Sequence, residues 1–285
     1  MKNIPIRRIK AVQKEPDFSE SFSIRDVRAL LDEKDMVQEL HRHDFFFVLT
    51  LKKGAGSHEI DFIPYEVCGH SVVFMRPGQV HQLTLRAGSI GYLMAFKTGV
   101  YYPNDKGSKQ LLRKASSMNH YLFTGSGFKK ILSILTDIFQ EYRDKKEGYQ
   151  KVIKANLDIF LTELVRQHNK SSTGNINTYA QERLEEFLEL LETDISNHKQ
   201  VSAYAGMLSL SPYQLNAITK AMLGKTCSKL INEYLILESK RQLLATSNQV
   251  SQIAYHLGYE DVSYFIRFFK KHTGHSPEAF RHHFS

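Results

Sequence analysis

The chain has 285 residues and carries 38 Lys and Arg against 30 Asp and Glu, a formal net charge of +8 and a pI near 9.2. That length fits two domains, each able to bury its own core, and the positive balance suits a polyanionic partner. Two cysteines in separate halves, Cys68 and Cys227, exclude a disulfide framework or a thiolate zinc cage, and no apolar run approaches the ~20 residues of a bilayer span. The polar start, MKNIPIRRIKAVQKEPDFSE, has no signal-peptide h-region, so a reducing cytoplasm is the expected location, with no membrane partner.

From about Phe22 to Phe96 the chain reads as β structure. Short runs rich in Phe, Val, Ile and Leu (Phe45–Leu51, Glu59–Ile63, Ser71–Met75, Gln82–Leu85 and Ile90–Phe96) alternate with turns containing Gly, Pro or Lys. Several short strands at close spacing predict a small barrel or sandwich. The polar segment Asn104–His120 is expected to mix loop with short helix.

Histidines punctuate this region. His41 and His43 point to one face of a strand, together with Phe45, Phe47 and Leu49. The Pro77–His81 element can turn a third imidazole, His81, toward them. His41, His43, Phe45, Phe47 and His81 form a candidate pocket for a small organic effector, partly apolar as such sites usually are. A three-histidine metal site is the competing reading. Its weakness is the lack of an inward carboxylate, since Asp44 is expected to face outward, so no metal ligand and no cofactor is assigned.

Helical spacing follows. Phe128–Tyr142 places Ile131, Leu132, Leu135, Ile138 and Phe139 on one face, and Val152–Val165 does so with Val152, Ala155, Ile159, Leu161 and Leu164. An antiparallel hairpin with broad apolar faces is expected, and these faces are expected to pair two chains. NKSSTGNINT (Asn169–Thr178) is small, polar and aperiodic and reads as the interdomain linker. The domains are therefore drawn as 1–110, 111–168, linker 169–178 and 179–285.

The last third carries one pattern twice. VSAYAGMLSLSPYQLNAITKAMLGKT (Val201–Thr226) and VSQIAYHLGYEDVSYFIRFFKKHTGHS (Val250–Ser276) align at Ala205/Ala254 and Leu208/Leu257. After one inserted residue in the turn they align again at Leu215/Phe265, Lys220/Lys270, Gly224/Gly274 and Thr226/Ser276. A short helix, a tight turn and a second helix with a basic end is the helix-turn-helix shape that lays its second helix in the DNA major groove. In the second copy Gly258 suits a helix C′ position, Asp261 caps the next helix, and Phe265, Phe268 and Phe269 face the core. Val262, Ser263 and Tyr264 then lie near the groove. Arg267 is placed for guanine or phosphate, and Lys270 and Lys271 for phosphates.

In the first copy Ser211 caps, Pro212 takes the first helical position, and Leu215, Ile218 and Met222 pack inward. Tyr213, Gln214, Asn216, Ala217 and Lys220 remain for groove and backbone. Between the copies Ser228–Leu244 has a helical pattern, a strut of ~25 Å that can hold two recognition helices about one DNA turn, ~34 Å, apart. Charge alone does not single out this domain. Residues 199–285 hold ten Lys/Arg against five Asp/Glu, but residues 1–177 hold 27 against 19. The acidic Ala180–Ile195 helix is expected to lie away from DNA.

Ile253–Arg281 resembles the signature of the AraC/XylS family of bacterial transcription regulators. Ala254, Leu257, Gly258, Tyr259, Ser263, Phe265, Arg267, Phe269, Lys270, Gly274, Pro277 and Arg281 sit where that pattern expects them. The first unit departs from it, with Ala217 and Thr219 in place of a polar or basic residue and a Phe. The resemblance covers Tyr179–Ser285 and, less specifically, residues 20–100, which are similar to the family's cupin-like sensor barrel. It implies an α+β protein: a cupin-like β-barrel with a helical hairpin, then an all-α domain with two helix-turn-helix units joined by a linker helix. It further implies double-stranded DNA as partner, a small-molecule effector or partner signal, a homodimer, RNA polymerase as a further partner, and no enzymatic activity.

Catalytic signatures are lacking. Gly224-Lys225-Thr226 looks like the end of a phosphate loop but has no glycine five residues earlier, and no G-x-S-x-G, C-x-x-C or dinucleotide fingerprint occurs. A cupin-type enzyme fused to a DNA-binding module is the catalytic alternative, and an architectural DNA binder is the other.

Overall fold

The computed structural model describes residues 6–9, 18, 20–101, 105–171 and 178–284. The chain divides into two compact units at Thr173/Gly174. Most of the linker predicted over 169–178 (residues 172–177) lies outside the described residues.

Among the described residues the N-terminal unit has ten strands in two sheets. β1 (Ile6–Arg7), β3 (Met36–His43), β8 (Val80–Leu85), β5 (Ala55–Ile60) and β6 (Ile63–Cys68) form one sheet in the order β1-β3-β8-β5-β6. β10 (His120–Leu122), β7 (Ser71–Met75), β4 (Phe46–Lys53), β9 (Ile90–Phe96) and β2 (Phe22–Asp26) form the other in the order β10-β7-β4-β9-β2. β1 pairs parallel with β3, and every other pairing is antiparallel. A short helix, α1 (Val27–Leu31), follows β2 with Asp26 as its cap.

The central strands explain the long apolar runs. On β4, Phe47, Leu49 and Leu51 point between the sheets and join Ile60, Val67, Leu83, Leu85 and Leu93. Phe46 and Val48 point the other way, into a second core. A strand buried on both faces reads as a continuous hydrophobic run rather than an alternation. The segment Glu59–Ile63 proves to be a hairpin tip instead of a strand. Ile60 pairs with Ile63, and Asp61 and Phe62 between them both have positive φ, 49° and 69°. Two central residues in that region make the primed turn that matches strand twist.

The second core lies under helices. α2 (Lys106–Ser116), α3 (Gly125–Asp144) and α4 (Tyr149–Ser171) follow β9 and β10. Ile131, Ile134, Leu135 and Ile138 of α3 and Ile153, Leu157, Phe160, Leu161 and Leu164 of α4 pack with Phe46, Val48, Phe74, Met94 and Phe96 of the sheet. The apolar faces expected to pair two chains are thus largely used within the chain. The helix phase also differs from the sequence reading: Val152 and Ile159 are 40% and 46% exposed, and Ala155 is exposed too. Residues 111–168 do not stand apart from the barrel, because β10 is a strand of its sheet.

The C-terminal unit is all helix: α5 (Thr178–Asp194), α6 (Val201–Met207), α7 (Pro212–Leu223), α8 (Cys227–Ala245), α9 (Val250–His256), α10 (Val262–Thr273) and α11 (Pro277–Phe284). Leu184, Phe187 and Leu191 of α5 are buried, and the Phe187 ring meets Tyr204 of α6 edge-on at 5.5 Å. The 19 residues of α8 span about 28 Å and separate the two helix-turn-helix units. Among the described residues no helix is long and apolar enough to cross a membrane.

Candidate nucleic-acid interface and barrel site

The two recognition helices are α7 and α10, each 12 residues and each opened by a side-chain cap. Ser211 and Gln214 form a reciprocal capping box on α7, and Asp261 Oδ1 accepts from the Ser263 N–H at 2.7 Å on α10. Both helices end on a left-handed glycine, Gly224 (φ 66°) and Gly274 (φ 81°). The turn inside the second unit also requires glycine. Gly258 has φ 73°, and a Cβ there would lie 1.7 Å from the Ser196 carbonyl oxygen. Ser209 takes the matching left-handed position in the first unit at φ 55°.

On α10, Phe265 and Phe269 are fully buried and Phe268 half-buried, so the opposite face carries the exposed Ser263, Tyr264, Arg267, Lys270 and Lys271. Val262 is half-buried at the helix start. Arg267 stays 69% exposed, its Nη2 3.9 Å from an Asp261 carboxylate oxygen, a loose pair that solvent screens. On α7, Tyr213 is 83% exposed, and Gln214, Ala217 and Lys220 share its surface.

Asn216 departs from expectation. Its Oδ1 accepts from the Cys227 N–H at 2.9 Å and its Nδ2 donates to the Pro212 carbonyl at 3.1 Å, so the side chain ties α7 to the start of α8. Thr219 sits beside it, fully buried, with its hydroxyl donating to the Asn216 carbonyl at 3.2 Å and 3.4 Å from Cys227 Sγ. Ile218 and Met222, expected to face inward, are only half-buried; Leu215 and Thr219 hold the inner face. The interior therefore takes up two residues that the sequence pattern leaves ambiguous. Arg281 is buried too, donating to the carbonyls of Leu243 and Asn248 and so fixing α11 to the end of α8.

In the barrel the structure gathers four imidazoles, not three. His41, His43 and His81 offer ring nitrogens that all lie within 4.8 Å of one another. His58 of β5 joins them, with Nε2 2.7 Å from His81 Nδ1, and His81 Nε2 lies 2.8 Å from His43 Nε2. None is more than 6% exposed. Burial drives their basicity down, His41 to about 4 and His43 and His58 to about 3, with His81 lowered further by its three imidazole neighbours. All four are neutral near pH 7. His43 also stacks on Phe47 at 5.4 Å and leans on Phe45 at 4.3 Å.

His43, Phe45 and Phe47 form one wall of a cavity of about 600 Å³. Leu30, Leu93 and Ala95 add apolar surface, and Arg7, Arg8 and Arg25 bring positive charge to it. His41 and His81 belong to the cluster and do not line this cavity.

Residues 204–283 match a helix-turn-helix domain family. The chain is 26% identical over 257 residues to the HTH-type transcriptional activator RhaS of Pectobacterium atrosepticum, covering 85% of this chain and 87% of the relative. It is 23% identical over 245 residues to the RhaS activator of Escherichia coli O157:H7, covering 85% and 86%. The chain is a DNA-binding transcriptional regulator, similar to those of the AraC/XylS type. Among solved structures, ToxT of Vibrio cholerae with a bound unsaturated fatty acid aligns over 92% of this regulator and 95% of ToxT, at 18% identity and a TM-score of 0.45.

Two features of the regulator escaped the sequence reading. His58 was hidden because the strand was started at Glu59; begun at Ala55, strand alternation puts His58 and Ile60 inward together. The three arginines of the cavity come from β1, the residue after it and β2, none of which carries a strong strand pattern.

Proposed function

We propose that α7 and α10 read successive major-groove segments on one face of the duplex. Matched caps, matched left-handed glycine ends and the intervening strut support this reading, because they present two recognition helices from one rigid element. Base readout rests on α10, through Arg267 with Ser263 and Tyr264, while Lys270, Lys271 and Lys220 meet phosphates and Tyr213 and Gln214 approach the groove from α7. Ala217 stands where the second unit has Arg267, so α7 contributes more position than sequence choice.

The barrel is proposed as the sensor. Its effector is a small organic molecule with an apolar body against Phe45, Phe47 and Leu93 and an anionic group toward Arg7, Arg8 and Arg25. The chain works in the cytoplasm as a homodimer, touches RNA polymerase at its promoters, and performs no catalysis.

Selection of bound fragments from the source genome, followed by footprinting, tests the DNA reading. Two protected patches centred about 10 base pairs apart are expected. Uniform protection without sequence preference would reject it in favour of an architectural binder.

A further inference from the structure

The loop between α5 and α6, residues 195–200, is anchored in the first helix-turn-helix unit and reaches the turn of the second. Helix α5 packs on α7. The fully buried Tyr204 of α6 donates its hydroxyl to the His198 carbonyl at 2.7 Å, and the N–H groups of Asn197 and His198 both return to the Asp194 carbonyl at 2.9 Å. From this fixed loop Lys199 extends to the second unit. Its Nζ donates to the Gly258 carbonyl at 2.7 Å and to the Ser196 carbonyl at 3.3 Å, and it lies 4.9 Å from the centre of the Tyr259 ring. Gly258 comes so near that a Cβ there would lie 1.7 Å from the Ser196 carbonyl oxygen. Tyr259 is buried in turn, with its ring against Phe265, Phe268 and Tyr264 of α10 at 5.2, 5.9 and 6.1 Å. A continuous set of contacts thus runs from the core of the first unit to the recognition helix of the second without passing through α8.

We propose that Lys199 is a positioning residue for DNA recognition, a brace that holds the turn of the second unit against the first and so sets the spacing and tilt between α7 and α10. The inference rests on the reading of two successive grooves. Helix α8 joins the units end to end, and one attachment leaves each free to rock about its end of the strut. A second attachment removes that freedom. Rocking of α10 moves Arg267 with it, because Tyr259 packs on the inner side of the helix whose exposed face holds that guanidinium. An ammonium suits the position: carbonyls only accept, and its several donors serve two of them while the charge faces an aromatic ring. Part-burial lowers the Lys199 pKa from the usual lysine value, a cost that the carbonyls and the ring face offset. One base pair is about 35° of duplex turn and about 3.4 Å of rise. A braced pair of recognition helices therefore accepts one spacing, and a hinged pair accepts several.

The test measures binding of the full-length chain to its selected target and to targets with one base pair added or removed between the two protected patches. The wild type should lose at least about tenfold on either altered target, as for a mismatched base pair. Lys199→Met keeps the apolar stem and deletes the ammonium; its affinities for the three targets should fall within about threefold of one another, less than one mismatch costs. Lys199→Arg, which also offers several donors and stacks on aromatic faces, should restore the wild-type preference. A side chain that only added stability would lower all three affinities together and leave the spacing preference intact, and that result would overturn the proposal. Indifference to spacing in the wild type would instead refute the two-groove reading, and the free protein then decides the brace. Spin labels at Lys220→Cys and Lys270→Cys, in a Cys68→Ser chain whose remaining Cys227 is buried, report the distance between α7 and α10 when mixed with excess unlabelled chain. The brace predicts a narrow distance distribution that broadens in Lys199→Met; equal widths would overturn it.

Discussion

Asn216 accepts a hydrogen bond from the backbone N–H of Cys227 at 2.9 Å, so a residue placed by its spacing on the groove face of α7 serves the joint between α7 and α8. That N–H lies in the first turn of α8, where no carbonyl of the helix itself can pair with it, next to the Thr226 cap. Asn216→Ala should therefore cost about 1–2 kcal/mol of stability, the range for a lost hydrogen bond and a donor left without its partner. DNA affinity should fall equally for target and random sequence. A specific loss of base discrimination, with unchanged thermal stability, would return Asn216 to the groove.

Arg267 and Lys270 lie three residues apart on one exposed face, yet they should fail differently. Arg267→Ala should weaken specific binding by about 1–3 kcal/mol and relax preference at one base position. Lys270→Ala should weaken specific and random DNA alike and make the salt dependence shallower by about one unit. Titrations between about 50 and 200 mM salt separate the two. Wild-type behaviour in both variants would show that α10 is not in the groove.

Much of this was legible in the chain, for physical reasons that name themselves. Phe265 and Phe269 recur at one helical turn, Gly258 follows a short helix, and Asp261 precedes the next, so period, turn and cap agree. Asn216 was illegible because its partner is eleven residues away on another helix, and spacing carries no information about such a contact. Both faces of α4 are apolar, and sequence period could not choose between the Val152/Ile159 stripe and the Ile153/Leu157/Phe160/Leu164 stripe that the sheet buries. The hairpin tip at Asp61-Phe62 has no turn signature, since a bulky aromatic seldom takes φ 69°. Missing that tip moved the strand by four residues and concealed His58.

Gly258 should tolerate no side chain. Positive φ alone strains an alanine, and its Cβ would meet the Ser196 carbonyl oxygen at 1.7 Å and Lys199 Nζ at 2.7 Å. Lys199 bridges these same groups, donating to the Gly258 carbonyl at 2.7 Å while its ammonium lies over the Tyr259 ring at 4.9 Å. Gly258→Ala should therefore destabilise the C-terminal unit by at least about 1–3 kcal/mol. Calorimetry should show the transition of this unit shifted down by more than about 5 °C, with the barrel transition unmoved. An unshifted transition would mean that the turn can relax away from Ser196.

Dimer formation, if it uses the hairpin, has to use what the barrel leaves uncovered. Val152 and Ile159 stand two turns apart on the outer face of α4, exposed, with Ala155 beside them. Sedimentation of the full chain at micromolar concentration should show a dimer, converted to monomer by Ile159→Glu with little change in melting temperature. A monomeric wild type, or a dimer indifferent to Ile159→Glu, would remove α4 from the interface.

The histidine cluster also sets how the barrel responds to acid. His41 is held down to about 4 and His43 and His58 to about 3, mainly by burial, with neighbouring imidazoles, Arg7 and His120 adding smaller repulsions. In the unfolded chain the same rings take up protons near pH 6.5. Between about pH 6.5 and 4 the unfolded state therefore binds more protons than the folded one, and stability rises with pH across that window. The contribution is complete above about 6.5 and falls on acidification by about 1.4 kcal/mol per pH unit for each ring that stays neutral. Hydrogen exchange of core amides on β4 and β7 reports this opening without interference from the C-terminal unit. From pH 7 to 5 their protection should fall steeply, and His58→Phe should reduce the slope by about one proton. Protection constant over that range would show that the rings are charged in the folded barrel and that burial does not govern them.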